Sequence, residues 1–417
     1  MNNKGNMTQP KPAHKPFGTS TRSKKVPTTV DRISILPDHV LHHILSFIPL
    51  KQAGRTSILS RRWRYVWASL QGLTFYKDEL AKFGLESFIR YVNAALPYRA
   101  KQDFQIFKTF LFSTSPTYLA TSTRWITQAV NNDVGVLYLI IRGGNVILPR
   151  PVLTSQSLEE LGLFSFPSVK IITPSIISLS RLRILSLQRM EINSAFFEKI
   201  ISGCAMLENL NLHFCEITFS RVHSMVLRKL VMESCTIRTK RENKFYICTP
   251  NLVHLHFNQG CGTLSHHETP NQMFELDLPN LKSLILGGNW VRSYPDAVLF
   301  FLQHSPMLEK LTLIFFQKMA EINNIKSLDG SINLRFQCQN LKSVEIICHQ
   351  SDERILHLTK VLKENGISNL NLTWRFSFVE NDCLKMLYDV WYWINVWIRD
   401  QKISRKRTRR RSRFRTL

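Results

Sequence analysis

A short apolar motif recurs nine times and constrains the fold of this chain more than any other feature. The motif, apolar-x-x-Leu-x-apolar, recurs at intervals of 20 to 33 residues and begins at Val134, Leu158, Leu182, Leu207, Leu227, Leu252, Leu281, Leu308 and Leu341. Each unit predicts a short strand whose leucines point inward. A single unit cannot bury those leucines, so neighbouring units are expected to stack. The motif therefore predicts repeats over residues 134–349.

The period and the leucine positions are typical of an irregular leucine-rich repeat. Leucine at i and i+3 would also suit an amphipathic helix, but nine occurrences in sequence argue against that interpretation. The predicted fold class is α/β: an N-terminal three-helix unit followed by a horseshoe-shaped solenoid of parallel strands with helical returns. The clearest helical returns are SAFFEKIISGCAMLENL and DAVLFFLQHSPMLEKL.

Residues that alternate with the inward leucines should face outward on the concave side of such a solenoid. We expect this surface to bind a protein target. The candidate residues are Asn209, Asn211, His213, His254, His256, Lys310 and Thr312. A metal site at the three histidines is the alternative, but no thiolate or carboxylate lies at ligand spacing. No metal is therefore expected.

Residues 31–75 predict three short helices. Pro37 suits the first turn of a helix, and the residue before Pro49 avoids the helical conformation, so the first helix should end there. Ser60 is a predicted N-cap of the third helix. Such a small unit buries little surface by itself. We expect its remaining apolar residues to contact a partner; burial against the repeats is the alternative.

The segment LPDHVLHHILSFIPLKQAGRTSILSRRWRYVW closely resembles the F-box of plant F-box proteins. Its Leu-Pro start, its Ile-Leu pair, its Arg-Arg-Trp-Arg and its final Trp match in order. The resemblance implies docking on a Skp-type adaptor, which bridges to the cullin scaffold of a ubiquitin ligase. Carried across by position, the docking residues would be Leu36, Pro37, Ile44, Leu45, Ile58, Leu59 and Trp63. The phrases GCAMLENLNL, TPNLVHLHF and LPNLKSLIL likewise resemble repeats of plant F-box/leucine-rich-repeat proteins.

The formal net charge of +25 is concentrated at the two ends of the chain. Residues 1–30 and 401–417 are rich in Lys and Arg and contain no acid, so they are interpreted as a disordered leader and a disordered tail. The tail has the composition of a nuclear localisation signal at Arg405, Lys406, Arg407, Arg409, Arg410 and Arg411. A nuclear or cytoplasmic location is expected, and nucleic-acid binding is the alternative use of this charge.

The remaining segments carry weaker signals. Residues 76–133 are interpreted as a connector, with a helix at 85–95, a strand at 104–112 and a helix at 125–131. Residues 350–380 weakly resemble the FBD region that follows the repeats in many plant F-box proteins. Residues 381–400 predict a Trp-rich amphipathic helix, which either caps the last repeat or lies on a membrane surface.

No enzymatic motif is present in the sequence. It contains no Walker loop, no GxSxG, no HExxH and no paired CxxC. Neither an apolar signal-peptide core nor a membrane-spanning run is present, and the eight scattered cysteines predict reduced thiols. We therefore expect a non-catalytic adaptor of a ubiquitin ligase, without cofactors. A nucleic-acid-associated scaffold and a structural repeat protein are the alternatives.

Overall fold

This computed structural model describes residues 35–48, 50–70, 72–75, 84–99, 105–112, 115–238, 244–259, 274–288, 295–315 and 340–348, and also 33, 359–360, 362–363 and 373–375. The predicted leader, the Trp-rich helix and the basic tail lie outside the described residues, as does most of the FBD-like segment. The localisation signal at Arg405–Arg411 lies in that tail, and its role stays a prediction.

The N-terminal unit contains the three short helices predicted for it. They are α1 (Asp38–Ser46), α2 (Leu50–Arg55), which continues into a 3-10 turn (Thr56–Ile58), and α3 (Arg61–Ala68). Ser60 caps α3 as predicted, because its hydroxyl oxygen accepts a hydrogen bond from the Trp63 N–H at 3.3 Å. The helices enclose a small core of Leu41, Leu45, Ala53, Trp63, Val66 and Leu70.

Thirteen strands in the described part of the chain form one sheet, and every described pairing in it is parallel. Its strands are β1 (Gly72–Thr74), β2 (Ile106–Phe112), β3 (Val136–Arg142), β4 (Glu160–Lys170), β5 (Ile184–Ile192), β6 (Asn209–His213), β7 (Glu216–Ile217), β9 (Lys229–Ile237), β11 (His254–Gln259), β13 (Ser283–Gly288), β14 (Lys310–Phe315), β15 (Ser343–Cys348) and β16 (Thr373–Arg375). Strands that follow one another along the chain lie side by side, and the short β7 pairs with β5 and β9.

A second, smaller parallel sheet has the order β12 (Phe274–Asp277), β10 (Phe245–Cys248), β8 (Arg221–His223). The returns between strands include α4 (Leu85–Arg99), α5 (Pro116–Val130), α6 (Arg150–Leu153), α7 (Ser194–Gly203) and α8 (Pro295–Gln303). The mixed helix and strand content agrees with the predicted α/β class.

The repeat motif is confirmed by burial. The fourth and sixth motif residues of the first eight units are 0–3% exposed, as Leu137 and Leu139 or Leu311 and Leu313 show. They belong to one continuous core. Each unit is also joined to the previous one through the backbone; for example, the N–H of Arg183 donates to the carbonyl of Glu159 at 2.8 Å, and the N–H of Glu208 to that of Arg183 at 3.0 Å.

The sheet starts earlier than the predicted boundary at residue 134. β2 pairs into it from the segment interpreted as a connector, and β1 pairs into it from the end of residues 31–75, for which only helices are predicted. The helix predicted at 125–131 begins already at Pro116, because Tyr118, Leu119 and Ser122 continue the same inward face. The Ser and Thr residues of its first half hide that face from an apolar periodicity.

Candidate functional site

The N-terminal unit exposes an unusual number of large apolar side chains. The exposed fraction is 85% for Ile58, 75% for Phe47 and 66% for Leu59. We name six of these residues the apolar patch: Ile33, Ile35, Ile44, Phe47, Ile58 and Leu59. Single exposed apolar residues are ordinary, but several on one small unit are typical of a protein interface.

The structure divides the predicted docking residues into two groups. Pro37, Ile44, Ile58 and Leu59 are exposed and Leu36 is half-buried. Leu45 and Trp63 differ from the prediction, because they are only 2% and 6% exposed and lie inside the core of the unit. Three short helices need these large side chains to pack against one another. Their side chains therefore fill the interior of the unit rather than its surface.

A hydrogen-bond network links the start of α1 to the start of α3. The Arg62 guanidinium donates to the Leu36 carbonyl at 2.5 Å and to Asp38 Oδ1 at 2.6 Å. Since both charged side chains are more than a third exposed, such a pair contributes at most about 1 kcal/mol to stability. The main effect of the Arg62 contacts is to hold the beginning of α3 against the segment that contains Leu36 and Pro37.

The N-terminal unit is anchored on the sheet. Leu50 of α2 belongs to the main core, and Trp67 of α3 packs against both cores. A cavity of about 530 Å³ lies at the junction, lined by His39, His42, His43, Leu45, Ser46, Ile48, Leu50, Leu70, Gly72, Thr74, Ile106 and Lys108. Over the described ranges, no group of three or more His, Cys, Asp or Glu residues could hold a metal ion.

The second surface is the face of the main sheet that points away from the core, called the open face from this point on. The strand register places its side chains in rows that run across the sheet. Asn209, Lys229, His254, Ser283 and Lys310 are neighbours in one row. The next row contains Asn211 and His256, and a third contains His213 and Glu233. Six of the seven predicted target-binding residues therefore lie on a common, partly accessible surface.

Thr312 is the exception, because it is only 5% exposed. It pairs with Ile285 on one side and Glu345 on the other, and these longer side chains cover it. Glu345 also reaches Lys310, with 3.5 Å between Oε2 and Nζ. The alternation of residues predicts which face Thr312 lies on, but it does not predict how far a short side chain reaches between longer neighbours.

A polar cluster occupies the middle of the open face. His213 Nδ1 and Glu233 Oε2 lie 3.1 Å apart, and both side chains are only 12% exposed. The Asn211 amide donates to the Ser186 hydroxyl oxygen at 3.0 Å. Glu233 was not among the predicted residues. It pairs with His213 in the strand register and so occupies the same position of its repeat, which is the signal that could have identified it.

The two histidines of β11 are held mainly in the neutral form. Burial lowers the pKa of His254, and the positive charge of Lys229 lowers it further. Burial also lowers the pKa of His256; the Glu233 carboxylate opposes this shift, whereas His213 and Lys229 add to it. The Nε2 atom of His256 is buried and has no hydrogen-bond partner among the described residues.

An aromatic cluster lies on the same face nearer the N-terminal unit. Tyr138 stacks on Phe164 with ring centroids 5.7 Å apart, and Lys108 Nζ lies 4.5 Å from the Tyr138 ring centroid. The Tyr138 hydroxyl donates to Glu160. Both rings cover Gly162, where a Cβ atom would collide with them. Burial and the Glu160 hydrogen bond raise the pKa of Tyr138. No sequence pattern signals this cluster.

Comparisons with known proteins match two domains of this chain. The F-box domain family matches residues 33–74, and the family described as "FBD-associated F-box protein At5g56370, LRR repeats" matches residues 122–273. None of the described helices is long and apolar enough to cross a membrane.

Curated relatives from Arabidopsis thaliana include F-box proteins, some of which are described as F-box/LRR-repeat proteins. F-box/LRR-repeat protein 25 is 38% identical over 192 residues, which are 45% of this chain and 69% of that relative. F-box/LRR-repeat protein At3g59200 is 30% identical over 241 residues, 55% of this chain but only 46% of that relative. F-box protein At5g03100 is 27% identical over 301 residues, 72% of this chain and 88% of that relative. The chain spans about half the length of At3g59200 and of several further curated relatives that it matches. With its helical unit and leucine repeats, it belongs to the plant F-box/leucine-rich-repeat protein family.

Proposed function

We propose that this chain is the substrate-recognition subunit of an SCF-type, cullin-RING ubiquitin ligase. The observation that carries the proposal is the apolar patch on a helical unit whose own core is already complete. A Skp-type adaptor would cover the patch and link the chain to a cullin scaffold. The chain would have no active site of its own, and a separate enzyme would transfer ubiquitin to the target.

The arrangement of the repeats suggests where a target protein would bind. Parallel strands follow one another in chain order, with helices and the smaller sheet as their returns. We propose that this arrangement curves into a leucine-rich-repeat solenoid and that the open face is its concave surface. Repeat proteins of this kind use an extended concave surface for binding. The open face would then hold an unidentified protein target.

The contact between the helical unit and the main sheet supports separate roles for them, with the unit binding the adaptor and the sheet binding the target. Because Leu50 lies in the main core and Trp67 packs on both cores, the helical unit is expected to move with the sheet. A target on the open face would therefore be held at a defined distance from the adaptor. Such positioning raises the effective concentration of a reacting group, which is how a non-catalytic subunit promotes transfer.

Affinity capture of the tagged full chain from plant cells with the proteasome blocked tests this function. We expect a Skp-type adaptor and a cullin among the captured proteins. A variant with Ile58→Asp and Leu59→Asp should lose both, because it places charges on the apolar patch. Target proteins should remain bound to that variant. Capture of neither an adaptor nor a cullin by the unmodified chain would contradict the proposal.

A further inference from the structure

One row of the open face consists only of polar side chains that can donate hydrogen bonds. We name it the donor strip; from β6 to β14 it contains Asn209, Lys229, His254, Ser283 and Lys310. Adjacent strands lie about 4.8 Å apart, so the strip is about 19 Å long. Lys229, His254 and Lys310 are exposed, and Asn209 and Ser283 are half-buried.

The carboxylates on and beside the open face are already held by neighbours. Glu233 is paired with His213 at 3.1 Å, and Glu345 lies 3.5 Å from Lys310. At the adjoining edge of the sheet, Arg183 lies 2.9 Å from Glu208.

Glu309, at the same edge, is held from both sides. Lys342 Nζ lies 2.7 Å and Lys282 Nζ 3.2 Å from its carboxylate oxygens, and these lysines lower the pKa of Glu309. Each of these carboxylates is thus paired with a residue other than Lys229. Over the described residues, Lys229 itself makes no ion pair.

The charge of Lys229 acts on its neighbours. It faces His254 directly across β9 and β11, and it disfavours protonation of both His254 and His256. Between β11 and β14, the facing residues of β13 are Ser283, Ile285 and Gly287, none of which titrates. A negative group placed over Lys229 and His254 would relieve this repulsion and gain charge-assisted hydrogen bonds.

We propose that the donor strip binds an extended acidic segment of the target protein, with Lys229 and His254 as its central contacts. The inference rests on the proposed function, in which the open face holds the target. An extended chain advances about 3.3 Å per residue, so about six residues would cover the strip. Alternate carboxylates on one side of that segment would meet the strip, and Lys310 would exchange part of its pairing with Glu345 for them.

Binding to the donor strip should depend on pH in a definite direction. A bound anion raises the pKa of His254 and His256 above their values in the free chain, so the complex takes up protons. Binding is then strongest below the pKa values of the free histidines and weakens as the pH rises through those of the complex. Besides Lys229, the titratable groups that act on these histidines are Glu233 and His213, both of which act on His256.

Fluorescence anisotropy with the full chain tests this proposal. The probe is a fluorescein-labelled peptide in which Glu alternates with Ala, and the reference peptide has Gln in place of each Glu. We expect the Glu peptide to bind more tightly, by about tenfold or more, and to bind better at pH 6 than at pH 8. Lys229→Glu should weaken binding by about tenfold, since it reverses the central charge. Lys229→Arg should retain it, and His254→Gln should remove most of the pH dependence.

Lys244→Glu is the matched control. Lys244 precedes β10 in the smaller sheet and undergoes the same charge reversal away from the open face. This variant should bind the Glu peptide as the unmodified chain does. An equal loss in Lys244→Glu and Lys229→Glu would overturn the proposal, because binding would then follow net charge alone. Equal binding of the Glu and Gln peptides would also overturn it. So would an RNA competition in which mixed-sequence RNA displaces the labelled Glu peptide at lower concentrations than the unlabelled Glu peptide does.

Adaptor binding, measured on the same samples, separates this inference from the proposed function. Lys229→Glu should bind a Skp-type adaptor normally, since Lys229 lies far along the sheet from the helical unit. Loss of peptide selectivity with intact adaptor binding would overturn only the donor strip. Failure of the unmodified chain to bind the adaptor would overturn the proposed function.

Discussion

Replacing Ile58 and Leu59 together with aspartate is expected to weaken binding of a Skp-type adaptor by about 100-fold or more. These side chains are 85% and 66% exposed, so the substitutions remove little from the core of the unit. In the complex they would bury two carboxylates without partners, which costs several kcal/mol. The measurement is titration calorimetry of the adaptor with the full chain and with the double variant.

A matched pair of isoleucines provides the control. Ile172 and Ile176 are also exposed, at 45% and 52%, but they follow β4 and lie outside the helical unit. Their double aspartate variant should bind the adaptor with unchanged affinity. An Ile58/Leu59 variant that binds the adaptor as tightly as the unmodified chain would show that the apolar patch is not the docking surface.

Trp125→Ala is expected to destabilise the chain by about 3–5 kcal/mol, a large loss for a single substitution. Trp125 is 1% exposed, packs edge-on against Phe88 with ring centroids 6.3 Å apart, and donates through Nε1 to Asn93 Oδ1 at 2.7 Å. It thus joins α4 to α5 next to the first strands. Chemical denaturation monitored by circular dichroism would measure the loss in the free energy of unfolding.

Trp125→Phe separates packing from hydrogen bonding at this position. The phenyl ring keeps most of the contact with Phe88, and Asn93 Oδ1 keeps a second donor, Arg124, at 2.9 Å. We therefore expect a smaller loss, about 1–2 kcal/mol. An alanine variant as stable as the unmodified chain would mean that α4 and α5 do not form one packed unit with the sheet.

The repeat region was largely predictable because a parallel strand with one buried face leaves a strict alternation in the sequence. Leu185 and Leu187, or Leu210 and Leu212, are inward in the structure as the motif requires. The register followed as well, which is why the predicted residues from Asn209 to Lys310 share one face. The alternation does not report side-chain length. Thr312 is buried because it is a short side chain between longer neighbours.

The helical unit was less predictable, because adjacent residues of one apolar helix face have different neighbours. Ile44 and Leu45 are both apolar and consecutive, yet Ile44 is 42% exposed and Leu45 only 2%. Which of these two residues is buried depends on where α3 packs, and the sequence of α1 alone does not show that. The docking prediction therefore joined core residues such as Trp63 with surface residues such as Ile58.

Specific side-chain contacts between neighbouring strands were not predictable from the periodicity. The cluster of Tyr138, Gly162 and Phe164 requires three residues from two strands to meet on one face, and no periodicity distinguishes them. The same holds for backbone conformation. Arg189 and Phe214 occupy the left-handed region, with φ of 55° and 53°, at equivalent positions just after the paired residues of β5 and β6. Neither residue type marks such a bend.

Hydrogen exchange of the full chain with and without a Skp-type adaptor tests the central claim most directly. We expect the adaptor to slow amide exchange in residues 35–48 and 56–62, which carry five of the six residues of the apolar patch. Exchange in the central strands β6, β9 and β11 should stay unchanged. Protection confined to those central strands, with exchange in the helical unit unaltered, would contradict the claim that the apolar patch docks the adaptor.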